Sequence, residues 1–188
     1  MTENNHDLNE GTLQDLSQFI TFTVQDQEYG VDIMSVREIK GWTDTTALPN
    51  TPIYVRGVIN LRGSVVPILD LRCRFGLGFT DATKNHVVMI VNVENRIVGI
   101  LVDGVSDILT VPNSDVRSIP NIDNVDNTSI LKGIINLSDR MVALLVLEKL
   151  FDHTIEISDA HLAHIQMHGV LGSVLKETEP QKNENATT

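Results

Sequence analysis

The 188-residue chain has a single cysteine, Cys73, so no disulfide can form within it and a reducing compartment is expected. Aromatic residues make up only 4% of the chain against 41% hydrophobic residues in all. That shortage points to a core of valine, isoleucine and leucine. Basic side chains are also scarce: 14 Lys and Arg stand against 25 Asp and Glu, a net charge of −11. The balance argues against a nucleic-acid surface, which needs a clustered basic face. No long apolar run is present, so no helical span and no direct membrane insertion are expected. The polar, acidic start MTENNHDLNEGTLQDL lacks the hydrophobic stretch of a signal peptide, and a cytoplasmic location is expected.

Reaction chemistry is missing as well. The chain has no Gly-x-x-x-x-Gly-Lys-Ser/Thr phosphate loop, no Gly-x-Ser-x-Gly elbow and no His-Glu-x-x-His pair. Asp123, Asp126 and Asn127 lack the spacing and the glycine of a calcium loop. No catalytic residue and no cofactor are therefore expected. The sharpest alternative is a small-molecule or metal-binding β-barrel that uses the histidines near the C-terminus. His161, His164 and His168 would share one helix face, with His153 nearby, but no fourth ligand completes a zinc site. Cys73 lies between Arg72 and Arg74, which could lower its pKa, yet it has no evident His or resolving Cys partner.

What the chain does have is a repeated strand–turn–strand unit. Residues 57–71, GVINLRGSVVPILDL, read as two aliphatic strands about the turn Asn60-Leu61-Arg62-Gly63, whose Asn and Gly suit a type I turn. Residues 133–147, GIINLSDRMVALLVL, repeat the pattern with the Gly, Ile, Asn, Leu, Val, Leu and Leu kept in place. A second pair, Gly30–Ile39 and Gly99–Ile108, recurs in the same order. A unit used twice predicts two lobes, since a solenoid needs at least three repeats. Arg62 sits at the tip of the first turn where the second copy has Ser138. A residue needed only for folding should be common to both copies, so Arg62 is a candidate binding residue.

Around these units, residues 1–17 read as an acidic flexible arm. Phe19 to Val24 alternate as a half-buried strand, with a turn at Asp26-Gln27. Ile33, Val36 and Ile39 suggest a short helical or irregular crossing. His86 to Val93 and Arg96 to Val102 predict a hairpin around Glu94-Asn95, and 112–129 a long loop. Lobe one is expected over about 18–80 and lobe two over about 86–148. A C-terminal helical segment at 153–175, capped by Ser158-Asp159, and a disordered tail at 176–188 complete the expected organisation. Many short strands without amphipathic crossover helices favour small barrels over a parallel α/β sheet.

Read together, Phe19–Val24 with Glu28–Ile33, Val36–Ile39, Gly57–Gly63 running into Val66–Arg72, and Val98–Asp107 are collinear with one pattern over 18–152. That pattern resembles the CheW-like domain family of bacterial chemotaxis coupling proteins. The resemblance implies a mainly β fold of two SH3-like five-stranded β-barrel lobes packed through an apolar seam, with short helices including a C-terminal one. It also implies a non-enzymatic adaptor in chemotaxis signal transduction, a scaffold at receptor arrays on the inner face of the membrane. The partners it implies are the cytoplasmic domain of a chemoreceptor (a methyl-accepting chemotaxis protein) and the regulatory domain of the histidine kinase CheA. In the family, a receptor hairpin tip lies between the lobes and the kinase's similar domain meets the barrel ends. Contact positions carried over by the resemblance are Val36, Glu38, Gly57, Arg62, Val87 and Ile108, the last by aliphatic character only. The same module as part of a longer regulator is a further reading.

Overall fold

The computed structural model describes residues 15–119 and 130–151. The expected arm residues 1–14, the middle of the 112–129 loop and everything after Phe151, including the expected C-terminal helix, lie outside the described residues. Eleven strands and two single-turn helices follow one another among those described. They are β1 (Leu16–Val24), β2 (Gln27–Asp32), β3 (Val36–Gly41), β4 (Val55–Leu61), β5 (Ser64–Asp70), α1 (Leu71–Arg74), β6 (Val87–Val93) and β7 (Arg96–Val102). Then come β8 (Gly104–Pro112), β9 (Val116–Arg117), β10 (Leu131–Asn136), β11 (Met141–Leu145) and α2 (Leu147–Leu150). The fold is mainly β, as expected. β1 starts at Leu16, before the expected boundary, and Asp15 and Ser17 are tied to Asn113 by hydrogen bonds.

Local chemistry sets the hairpins. Val93 pairs with Arg96, and Glu94 and Asn95 both have positive φ (47° and 67°), the backbone of a primed two-residue turn. Leu61 pairs with Ser64 around Arg62 (φ 52°) and Gly63 (φ 88°). This corrects the type I turn expected over Asn60–Gly63. The loop is one residue further on and primed, because that twist matches the right-handed twist of the flanking strands. Asn60 still contributes, its side-chain oxygen accepting from the Gly63 N–H at 2.8 Å. The first turn also moves by one residue, to Gln25-Asp26, with Val24 opposite Gln27. The expected crossing at Ile33–Ile39 divides into a 3₁₀ turn over 33–35, capped by Asp32 on the Met34 N–H at 2.9 Å, and the strand β3.

The sheets do not follow the chain halves. One has the order β8-β1-β2-β11-β10-β9 and the other β3-β6-β7-β5-β4. The first copy of the unit (β1–β5) thus places its leading hairpin in one sheet and its remaining strands in the other. The second copy (β6–β11) does the reverse. Lobes running contiguously over 18–80 and 86–148 are therefore not those of the fold, since each sheet is built from both copies. Each sheet contains one parallel contact that joins the two copies. There Ile68 stands opposite Gly99, and at the equivalent place Leu144 stands opposite Gly30. A Cβ on Gly30 would meet Leu144 Cδ2 at 2.9 Å, and one on Gly99 would meet Ile68 Cδ1 and, at 2.9 Å, Val88 Cγ1. Glycine is favoured at both positions for the same reason, since a larger residue would force a buried neighbour to shift.

Four buried clusters fill this frame, the smallest being Tyr54, Val55 and Leu69. Phe19, Val111, Ile135, Val142 and Leu144 fill the first sheet's interior. Ile59, Val66, Ile68, Val88, Ile90 and Leu101 fill the second's. Between the sheets lies the largest cluster. β1 and β2 contribute Ile20, Phe22, Val24 and Val31, while β6 and β7 contribute Met89, Val91, Val93, Val98, Ile100 and Val102. β6 and β7 are thus apolar on both faces, which is why Val87–Val93 reads as a nearly unbroken hydrophobic run. Leu71, Leu147 and Leu150 from the two short helices pack against the same seam.

Gly99→Val is expected to destabilise the fold by about 1–3 kcal/mol, because the added atoms press on the fully buried Ile68. Gly41→Ala, where an added Cβ meets nothing within 4 Å, should stay within about 0.5 kcal/mol. Urea unfolding of the two variants beside the parent checks the pair, and equal losses would refute the packing argument.

Candidate docking surface

The primed turn holds Arg62 out into solvent, its side chain 80% exposed, where it pairs with Glu38 on β3 at 3.2 Å. β3 and β4 are opposite edges of the second sheet, so this ion pair links the sheet's two ends. Glu38 is only 30% exposed. A break in register between Val36 and Glu38 on β3 explains its setting, because a bulge re-aims the side chains that follow it. As a result the strand runs against the usual order, with the carboxylate half-buried and Ile39 next to it 45% exposed.

Val36 and Val87 are half-buried and pack against the seam cluster from the same strand pair, β3 and β6. Gly57 is buried at φ +134°, with the Thr46 carbonyl pressed against the position a Cβ would take. A side chain is excluded there on both counts, so Gly57 seats β4 and offers no surface of its own. Ile108 lies on β8, an edge of the other sheet, and is 52% exposed. The structure therefore joins Glu38 directly to Arg62, keeps Val36 and Val87 in the adjoining strands, and sets Ile108 in the other lobe.

Two features escaped the sequence reading. Ile39 is the repeat counterpart of Ile108, and both are exposed at equivalent places, each on the first strand after its copy passes from one sheet to the other. The repeat alignment carried that signal. The second copy's turn also has an arginine: Arg140 pairs with Glu28 of β2 at 2.8 Å. It is 39% exposed and its partner 11%, so this pair is folded back onto the lobe. Ser138 occupies the tip that Arg62 occupies in copy one.

Cys73 departs from the reading in which its neighbours lower its pKa. Burial pushes the thiol up and the Asp70 carboxylate adds to the push, while Arg56 offsets part of it. The flanking arginines turn elsewhere, Arg72 to both oxygens of Asp103 at 2.9 Å and Arg74 to the Tyr54 ring at 5.1 Å. Among the described residues no three His, Cys, Asp or Glu side chains gather to hold a metal ion. His153, His161, His164 and His168 lie outside the described residues.

The family model of the CheW-like domain matches residues 18–154. The chain is 47% identical over 137 residues to the probable chemotaxis protein CheW of Rhizobium etli, covering 73% of this chain and 88% of that protein. It is 46% identical to the chemotaxis protein CheW of Rhizobium meliloti over 71% of this chain and 86% of that one. The solved structure of the scaffolding protein TtCheW from Thermoanaerobacter tengcongensis superposes with a TM-score of 0.67 at 28% identity. That match covers 80% of this chain and 94% of TtCheW.

The raised thiol gives a pH test. A higher pKa leaves less thiolate at any given pH, so Cys73 should be alkylated at pH 8 more slowly than an exposed cysteine. Its rate should still climb where an ordinary thiol, with a pKa of about 8.5, has levelled off. A profile that levels at or below that value would contradict the burial and Asp70 assignment.

Proposed function

The chain belongs to the CheW-like domain family, and we propose that it is a non-enzymatic chemotaxis adaptor. It joins the cytoplasmic tip of a chemoreceptor to the regulatory domain of the histidine kinase CheA, inside the cell at receptor arrays. The observation that carries this reading is the Glu38–Arg62 pair beside Ile39. An exposed ion pair contributes only about 0.2–1 kcal/mol to folding, so Arg62 is weakly committed to the fold and available to a partner. Arginine is a frequent interface hot spot, and its planar fork fixes the geometry of whatever it meets. Ile39, the next residue on β3, supplies apolar surface on the strand's other side, and partly desolvated Glu38 fixes register.

The remaining contact positions divide by what the fold lets them do. Val36 and Val87 extend the apolar part of the same face. Ile108 presents a second apolar point on the other lobe, so one partner can touch each lobe, or one can span both. Gly57 acts indirectly, by holding the hairpin that ends in Arg62 against Thr46. No bond is made or broken in this role. Receptor and kinase are coupled by differential binding to a rigid frame, which biases an equilibrium between their states.

Arg62→Ala should weaken binding to the receptor domain, the kinase domain or both by about 1–3 kcal/mol, on the order of 5- to 150-fold. Its folding stability should fall by less than about 1 kcal/mol. Calorimetric titration with each purified partner domain reads the first quantity and urea unfolding the second. Unchanged affinity for both partners would remove Arg62 from the interface.

A further inference from the structure

Away from the Glu38–Arg62 face, three large apolar side chains are displayed around one buried carboxylate and the short helix α1 that it caps. Asp70 is fully buried and accepts from the Cys73 N–H at 3.1 Å, the Thr80 N–H at 2.8 Å and the Thr80 hydroxyl at 2.7 Å. Its own N–H donates to the Tyr54 carbonyl at 2.8 Å. Ile53, 69% exposed, immediately precedes Tyr54, and Phe79, 55% exposed, immediately precedes Thr80. Leu77, 44% exposed, is fastened to α1 by its N–H on the Arg72 carbonyl at 3.0 Å. A fully satisfied buried carboxylate makes this a rigid mount, and a rigid mount displaying apolar side chains to water marks a covered surface.

The described chain ends at the same mount. Phe151 packs against the cluster of Tyr54, Val55 and Leu69, as does Cys73. Arg74 donates from Nε to the Leu150 carbonyl at 3.0 Å. The sequence that follows suits the surface. Residues 152–175 contain Asp152, Glu156 and Asp159 but no lysine or arginine, which complements Arg74 at the exit and Arg56 beside Asp70. They also carry Ile155, Ile157, Leu162, Ile165, Leu171 and Leu175. At up to about 3.3 Å per residue, the stretch from 152 to 162 reaches well beyond a surface adjoining its own exit.

We propose that the surface of Ile53, Leu77 and Phe79 is the docking site of this chain's own segment 152–175, which covers it with its apolar residues. The occupant is intramolecular because its tether starts at the surface and gives it a high effective concentration there. This is independent of the adaptor reading, since neither Arg62 nor Glu38 takes part.

Amide hydrogen exchange on the full chain tests it. In Ile53→Ser/Phe79→Ser, exchange across 160–175 should rise by about tenfold or more, while β6 and β7 keep their protection. The reciprocal variant Leu162→Ser/Ile165→Ser should expose amides of 76–80 by a similar factor, and it serves the test alone if the first variant fails to fold. Unchanged exchange in both regions overturns the proposal. So does protection of 76–80 that grows with protein concentration, which would make a second copy the occupant.

Discussion

The architecture depends on two close contacts between a glycine backbone and a buried side chain of the other copy, which any larger residue at the glycine would displace. At Gly99 and Gly30, a strand from one copy of the unit lies parallel to a strand from the other, and a buried Ile68 or Leu144 fills the space a Cβ would take. These contacts are the only parallel pairings among the described strands, and each joins the two copies within one sheet. Without them each copy would leave a leading hairpin in one place and a trailing hairpin in another, with an unpaired edge on both. Parallel pairing needs a long connection, and here the other copy's strands provide it. The two halves cannot form their cores separately.

That interdependence explains what could and could not be read from the sequence. Hairpins were legible because their partners are local: Arg96–Val102 returns on Val87–Val93 across two residues, and 57–71 and 133–147 form the hairpins expected of them. The duplication was legible too. Which copy's strand pairs with which was not, because aligned repeats reveal equivalence and say nothing about partnership. Gly30 and Gly99 were visible as repeated glycines, but the side chains that demand them lie far along the chain. The turn at Arg62 was misread for a smaller reason, since Asn60 contributes through its side chain and not by occupying the first corner of the turn.

The proposed docking surface was legible in part, and unevenly. Arg62 stood out because its counterpart is Ser138, and the structure puts it at an exposed tip. Glu38 could not be weighted from sequence, because the Arg62 guanidinium that pairs with its carboxylate comes from the opposite edge of the sheet. Gly57 shows the reverse case. A buried glycine beneath a carbonyl is needed for packing, and any effect it has on partners must pass through the position of the hairpin. Cys73 shows why adjacency misleads. Sequence neighbours on a single helical turn point in different directions, so Arg72 and Arg74 do not govern the thiol, whereas Asp70 and burial do.

The two arginine pairs show how one unit came to hold two roles. In the second copy the turn is longer, Arg140 folds back, and Glu28 is almost buried beneath it. Burying a carboxylate is costly unless a cation stays on it, so that arginine is held to its lobe and displacing it would strand a charge. In the first copy the turn is two residues, Arg62 stands clear, and Glu38 keeps some contact with water. Removing that arginine leaves a carboxylate that solvent can satisfy. A visiting protein can therefore replace the Glu38 contact at Arg62 for little energy, and cannot do so at Arg140. The shorter turn, more than the arginine itself, leaves one lobe's hairpin free for the proposed docking and makes the other's a brace.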